Sequence, residues 1–200
     1  MKVCLLTRRR GFQEAKGDYY ICLDSDDYLY DNDAFFKIKR LITEKKCDLV
    51  LFNFFMQKET RDKDQRITLF DKPDGFIFEG DEKKELYEKL LAGRDLSTLV
   101  IKSPKSSIVD RDVDYSKWKD SLYKGQGEDL FQSMPILSNA LRIGYIKDIL
   151  YFYRWNGGSI SRKYELKFYY SFKTIYQRED KYLEHWNIST SIWKKYRTSY

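Results

Sequence analysis

Three carboxylates and a hydroxyl stand in a row at Asp24-Ser25-Asp26-Asp27, directly after the apolar run Tyr19–Leu23. Alternate side chains of extended backbone point the same way, and hard divalent cations take oxygen ligands, so Asp24 and Asp26 together can hold such an ion. An acidic cluster is often no more than a solvated turn or a helix cap. Its position after an apolar strand strengthens the metal reading, because open α/β sheets bind ligands at the carboxyl ends of their strands. A second acidic pair, Glu128-Asp129, follows Gly127 where helical spacing begins. Acids at that place complement a helix N-terminus. A carboxylate there can equally act as a general base that deprotonates a hydroxyl.

The elements that must carry these groups follow from the pattern of apolar residues. Residues 11 to 17 read as the last turns of a helix closed by Gly17, and Tyr19 to Leu23 as a buried strand. Asp31-Asn32-Asp33 offers N-cap oxygens to a helix whose Phe35, Ile38, Leu41 and Ile42 share one face. Asp48 to Phe55 is a second buried strand, giving strand, helix, strand with a parallel crossover. A polar excursion follows, with a hairpin through Ile67, Leu69, Phe76 and Phe78, and then a helix over Asp81–Leu91. Ser97 to Gly127 is irregular, as binding loops are. Helical spacing resumes over Glu128–Leu141 with Pro135 inside it, Ile143 to Phe152 makes one or two short strands, and an aromatic, basic helical tail ends the chain.

Composition narrows the class. The 200 residues are 42% hydrophobic and 17% aromatic, enough for a single core. The 37 basic and 31 acidic side chains leave a net charge of +6 without a basic stripe, so anionic partners are favoured and nucleic acid is not expected. Cys4, Cys22 and Cys47 are odd in number and never form CxxC, which fits reduced thiols in a cytoplasmic protein. With one histidine, His185, which reads as a surface or packing residue, a metal would have to be held by carboxylates. The first residues have no signal-peptide pattern and no stretch is long enough to span a bilayer. The tail could lie on the inner face of a plasma membrane, although such stripes are more often core or dimer contacts.

Taken together, the motifs resemble family 2 glycosyltransferases of the GT-A fold. The resemblance is carried by Thr7-Arg8-Arg9-Arg10-Gly11, then Gly17 to Leu29 with Asp24-Ser25-Asp26-Asp27 inside it, then Gly127-Glu128-Asp129-Leu130, and finally Tyr151-Phe152-Tyr153-Arg154 with Ser159-Ile160-Ser161-Arg162. Arg9 stands where the family usually has Asn. A haloacid-dehalogenase phosphatase also places Asp-x-Asp after a strand, but wants Thr or Val where Tyr28 stands.

The resemblance implies an α/β, GT-A-like mixed sheet flanked by helices, with residues 1–165 a partial catalytic domain and 166–200 a helical extension. It implies inverting transfer from a nucleotide-diphospho-sugar to the hydroxyl of a saccharide or lipid-linked acceptor, dependent on a divalent cation (Mn²⁺ or Mg²⁺), in cell-surface polysaccharide or glycoconjugate synthesis. Asp26 would ligate the metal, and Asp24 the metal or the ribose. Asp129 would be the base, with Glu128 as runner-up. Arg10 would approach the nucleotide, and Arg154 and Arg162 would clamp its diphosphate. The family's usual opening, two strand–helix units of roughly 30 residues each, has no counterpart ahead of Arg8. The expectations are an uncovered sheet edge at Tyr19–Leu23, a complementing N-terminal chain or a homo-oligomer as partner, and little transfer by the 200 residues alone. The alternative is a non-catalytic, partner-binding module.

Overall fold

The computed structural model describes residues 4–92, 95–118, 127–157 and 168–189. Their strands form one mixed sheet from β1 (Tyr28–Leu29), β2 (Leu49–Met56), β3 (Gln65–Ile67), β4 (Phe76–Phe78), β5 (Lys102–Pro104) and β6 (Ile143–Tyr153). The order is β1-β6-β2-β3, with β4 also on β6 and β5 also on β2. β2 and β6 run parallel and form the spine, while the other pairings are antiparallel. Leu49 to Phe54 are buried without a break, the near-continuous apolar run that a parallel strand covered on both faces requires.

The parallel partner of β2 is therefore β6, not the run Tyr19–Leu23. That run is not a strand: it makes a single bridge, Tyr19 to Lys105, and Tyr20 N donates to Pro104 O at 3.0 Å. Beyond it, Ile21, Cys22 and Leu23 make no main-chain hydrogen bond among the described residues, and Leu23 is 55% exposed. An apolar run becomes a strand only when neighbouring main chain lies alongside it, and among the described residues none lies alongside Ile21–Leu23. The expected hairpin also separates, because β3 pairs with β2 and β4 with β6.

Among the described residues five α-helices, α1 (Cys4–Glu14), α2 (Ala34–Lys45), α3 (Lys83–Ala92), α4 (Glu128–Asn139) and α5 (Phe168–His185), accompany the sheet. On α2 the buried face is Ala34, Ile38 and Leu41, so Phe35 points to solvent, one position off the stripe. Asp33 makes no side-chain cap bond; instead Asp31 Oδ1 accepts from Asp33 N at 2.7 Å. α2 lies close against the sheet at Gly144, where an added Cβ would meet Cys47 Sγ at 2.7 Å and Leu41 Cδ2 at 2.8 Å. α4 runs through Pro135 as one helix, with Phe131, Met134 and Leu137 buried. Ile175 and Leu183 of α5 join the same core, and Trp186 stacks on Tyr87 (centroids 4.4 Å apart) while its Nε1 donates to Ser138 Oγ at 2.5 Å. No helix of the described residues is long and apolar enough to cross a membrane.

The spine contains an irregularity. Leu49 pairs with Ile143 and Phe52 with Ile146, but Asn53 pairs with Ile149 and Phe54 with Tyr151, so β6 bulges beside Asn53. The buried Asn53 amide satisfies the polar groups this exposes. Its Nδ2 donates to Lys147 O at 2.6 Å, and its Oδ1 accepts from Leu69 N at 2.8 Å and from the Tyr145 hydroxyl at 3.0 Å.

Candidate active site

On α1, Leu5 and Phe12 are buried, and the positions between them on the same stripe are Arg8 and Arg9. A guanidinium on an inward stripe requires acceptors. Arg9 lies over the rings of Tyr115 (4.3 Å) and Phe12 (5.6 Å). Arg8 reaches the acidic clusters. Its Nη2 donates to both oxygens of Asp24, at 2.7 and 3.0 Å, and its Nη1 donates to Asp129 Oδ1 and lies 3.7 Å from Glu128 Oε1. One side chain thus joins the two acidic motifs across more than a hundred residues of sequence. Arg10, two residues on and facing away, is exposed and pairs with Glu14 at 2.6 Å. The helical phase relative to Leu5 and Phe12 is the sequence signal that separates Arg8 and Arg9 from Arg10.

The second motif sits where α4 begins. Gly127 precedes it with φ +72°, a left-handed conformation that glycine adopts without steric cost. Glu128 is buried, its Oε2 accepting from Leu5 N at 2.6 Å, so it ties α4 to α1. Asp129 is more open. Its Oδ2 accepts from Thr98 Oγ1 at 3.2 Å and from Leu99 N at 3.3 Å, while Oδ1 faces Arg8. Of the two acids, Asp129 has the accessibility a base needs.

Beneath this turn lies Lys102, 1% exposed, whose Nζ donates to Leu96 O and Thr98 O at 2.5 Å each. The sequence gives no signal for it, since it reads as one more lysine in a loop. Lys102 folds the segment 96–99 that presents Thr98 and Leu99 to Asp129. Burial pushes its ammonium down to about 7, with the negative charge of Asp129 opposing. Because the unfolded chain holds this proton up to its ordinary pKa near 10.5, unfolding takes up a proton between about pH 7 and pH 10, and wild-type stability should rise with pH across that window relative to Lys102→Met. Urea melts of both proteins at pH 6.5 and 9.5 check this, and equal pH slopes would contradict it.

Around the first motif, Asp27 accepts from the Tyr151 hydroxyl at 2.6 Å and from Arg154 N at 2.8 Å. Burial raises its pKa, and both hydrogen bonds oppose the rise. The same hydroxyl accepts from Asp24 N at 3.3 Å, so Tyr151 holds the turn 24–27 at both ends. Burial and the hydrogen bond to Asp27 push the Tyr151 phenol upward, which keeps it a proton donor. Asp26 Oδ2 accepts from Asn156 Nδ2 at 3.1 Å. Arg154 is exposed, its guanidinium 5.6 Å from the Tyr28 ring centroid. Arg162 lies outside the described residues. Burial lifts the Cys22 thiol to about 11, so it is no nucleophile at neutral pH. Among the described residues no group of three or more His, Cys, Asp or Glu side chains is arranged to hold a metal. An open groove of about 600 Å³ runs between α1 and the segment 19–25, ending at Asp24 and Ser25.

Residues 7–116 match the model of the family described as Glycosyl transferase family 2. None of the curated proteins matches the chain. Among solved structures, the chain is similar to S. aureus TarS 1-349 in complex with UDP-GlcNAc, with 20% identity and a TM-score of 0.55 over 84% of this chain and 44% of that one. It is also similar to the crystal structure of S. aureus TarS, with 18% identity and a TM-score of 0.52 over 84% of this chain and 26% of that one. The likeness is one of fold, and the chain spans less than half the length of either TarS structure.

Proposed function

The chain belongs to glycosyl transferase family 2, and on that premise we propose that it transfers a sugar, with inversion, from a nucleotide-diphospho-sugar to an acceptor hydroxyl. The observation that supports this most is the meeting of Asp24 and Asp129 on the single guanidinium of Arg8. It brings a donor-side acidic cluster and a base-side carboxylate into one site. The solved TarS structure carrying UDP-GlcNAc makes a uridine diphosphate sugar the first donor to try. A saccharide or lipid-linked acceptor of cell-surface glycoconjugate synthesis completes the reading.

In this reading Asp129 accepts the acceptor's hydroxyl proton as that oxygen attacks the anomeric carbon in line with the departing diphosphate. Thr98, Leu99 and Lys102 hold the carboxylate in place for this. In this reading Asp24 and Asp26 put carboxylates beside the place of an anionic diphosphate, so a counter-cation is called for. The donor set fits a divalent ion chemically, since Asp24 and Asp26 offer hard oxygens. Such an ion, when bound, would neutralise the diphosphate leaving group.

Calorimetric titration of uridine diphosphate, with and without Mn²⁺, tests the donor side. Binding should require Mn²⁺ and disappear in Asp26→Ala, and cation-independent binding that survives the substitution would remove the metal role. A second reading, a partner-binding module, draws on the main chain of Ile21–Leu23, which pairs with no other main chain among the described residues and lies beside the open groove. Association with a second polypeptide that survives both Asp26→Ala and Asp129→Ala would favour it.

A further inference from the structure

Arg8 occupies the place where the charges of the proposed reaction must change. Its side chain is 12% exposed, against 34% for Asp24, 24% for Asp129 and 5% for Glu128, so this is a largely enclosed cation among three carboxylates. Both oxygens of Asp24 are taken by Nη2. Asp129 is equally committed, with Oδ1 on Nη1 and Oδ2 on Thr98 and Leu99. In this arrangement neither group is ready for work. Every oxygen of Asp24 and Asp129 already accepts a hydrogen bond, and while the guanidinium stays its positive charge repels a metal ion from Asp24 and weakens Asp129 as a proton acceptor.

We propose, building on the transferase reading, that Arg8 is a displaceable internal cation: in the free chain it bolts Asp24 to Asp129, and a divalent ion arriving at Asp24 drives it off, so that ion binding and release of the base are one event. The geometry supports this in two ways. A guanidinium presents its donors as a planar fork and so spans two carboxylates at once, which a point charge cannot do. Asp26, only two residues from Asp24, is engaged by a neutral amide and not by Arg8, leaving a carboxylate where the incoming ion can make first contact. The bolt also crosses elements, because Arg8 lies on α1 and Asp129 on α4. Its release therefore loosens α1 along the wall of the open groove that Thr7, Arg8 and Gly11 line.

A displacement of this kind costs the incoming ion affinity in proportion to how fully the bolted state is populated. The experiment is calorimetric titration of Mn²⁺ alone into the full chain and into Arg8→Gln, Arg8→Lys and Arg8→Gln/Asp26→Ala, with far-ultraviolet circular dichroism melts to establish that each is folded. Arg8→Gln should bind Mn²⁺ at least about tenfold more tightly than the wild type. Arg8→Lys, which keeps the charge without the fork, should fall between them, and the double variant should lose the gain. Should Arg8→Gln not fold, the Arg8→Lys comparison carries the test. Equal or weaker Mn²⁺ binding by the Arg8 variants would mean a purely structural ion pair and overturn the bolt, leaving the metal-dependent reading of the site intact. No Mn²⁺ binding by any folded variant, the wild type included, would overturn both.

Discussion

Replacing Asp129 by Asn should slow sugar transfer by about 10²- to 10⁴-fold, the usual worth of a positioned general base. Asn keeps the size of the side chain and an oxygen for Thr98 Oγ1 and Leu99 N, so the start of α4 should persist. What it removes is the capacity to take a proton. The measurement is the initial rate of uridine diphosphate release from a donor sugar nucleotide in the presence of acceptor, set beside calorimetric donor affinity. The expected pattern is a loss in kcat with no loss of donor affinity, since an interaction made only in the transition state is lost. Glu128→Gln is the contrast: its oxygen is spent on Leu5 N and the amide oxygen of Gln can still accept that bond, so α1 should stay in place and kcat near the wild-type value. A wild-type rate from Asp129→Asn would eliminate Asp129 as the base, and a collapse in Glu128→Gln alone would transfer the role to its neighbour.

The second large effect is expected at Gly127. An alanine there would have to hold φ at +72°, and its Cβ would come within 2.0 Å of Ile175 Cδ1 and 3.3 Å of Ile175 Cγ1. Ile175 is 1% exposed and has little room to yield. The left-handed backbone costs about 1–2 kcal/mol for a residue with a Cβ, and overpacking adds about 1–3 kcal/mol. Gly127→Ala should therefore lose about 2–5 kcal/mol in urea unfolding with the m-value unchanged. Transfer should fall too, because both Glu128 and Asp129 are placed by that turn. A variant as stable as the wild type would mean that α5 shifts freely off α4.

Much of this arrangement could be read before any coordinates, and the failures share a cause. α2, β2 and α4 announce themselves by local period; the structure places β2 and α4 within a residue or two of the expected bounds, and α2 begins directly after Asp33. Tyr19–Leu23 has the composition of a strand without the partner that would make it one, and β3 and β4 are local neighbours that pair with different distant strands. Pairing is a tertiary fact that propensity does not contain. The same division holds at the site. Asp24, Asp26, Glu128 and Asp129 stand out because acids cluster at element ends. Arg8 hides in a triplet of arginines: helix phase turns it and Arg9 inward and leaves Arg10, the more obvious choice beside the glycine, facing solvent, but which of the inward two meets the acids is a tertiary fact. Lys102 could not have been found, since only its burial sets it apart.

The bulge beside Asn53 acts as a phase shifter for the whole site. From Ile143 to Tyr151 the chain of β6 advances eight residues while β2 advances only five, from Leu49 to Phe54. The surplus is odd, so the alternation of faces along β6 is out of step with that of β2 beyond this point. Tyr145, ahead of the offset, therefore turns its hydroxyl to Asn53 and the Phe70 carbonyl in the interior, whereas Tyr151, past it, turns its own to Asp27. The residues Lys147 and Asp148 are thus a spacer whose length matters more than its chemistry. Exchanging their side chains leaves the phase alone, whereas deleting either one would swing Tyr151 to the opposite face and release the acidic turn it holds.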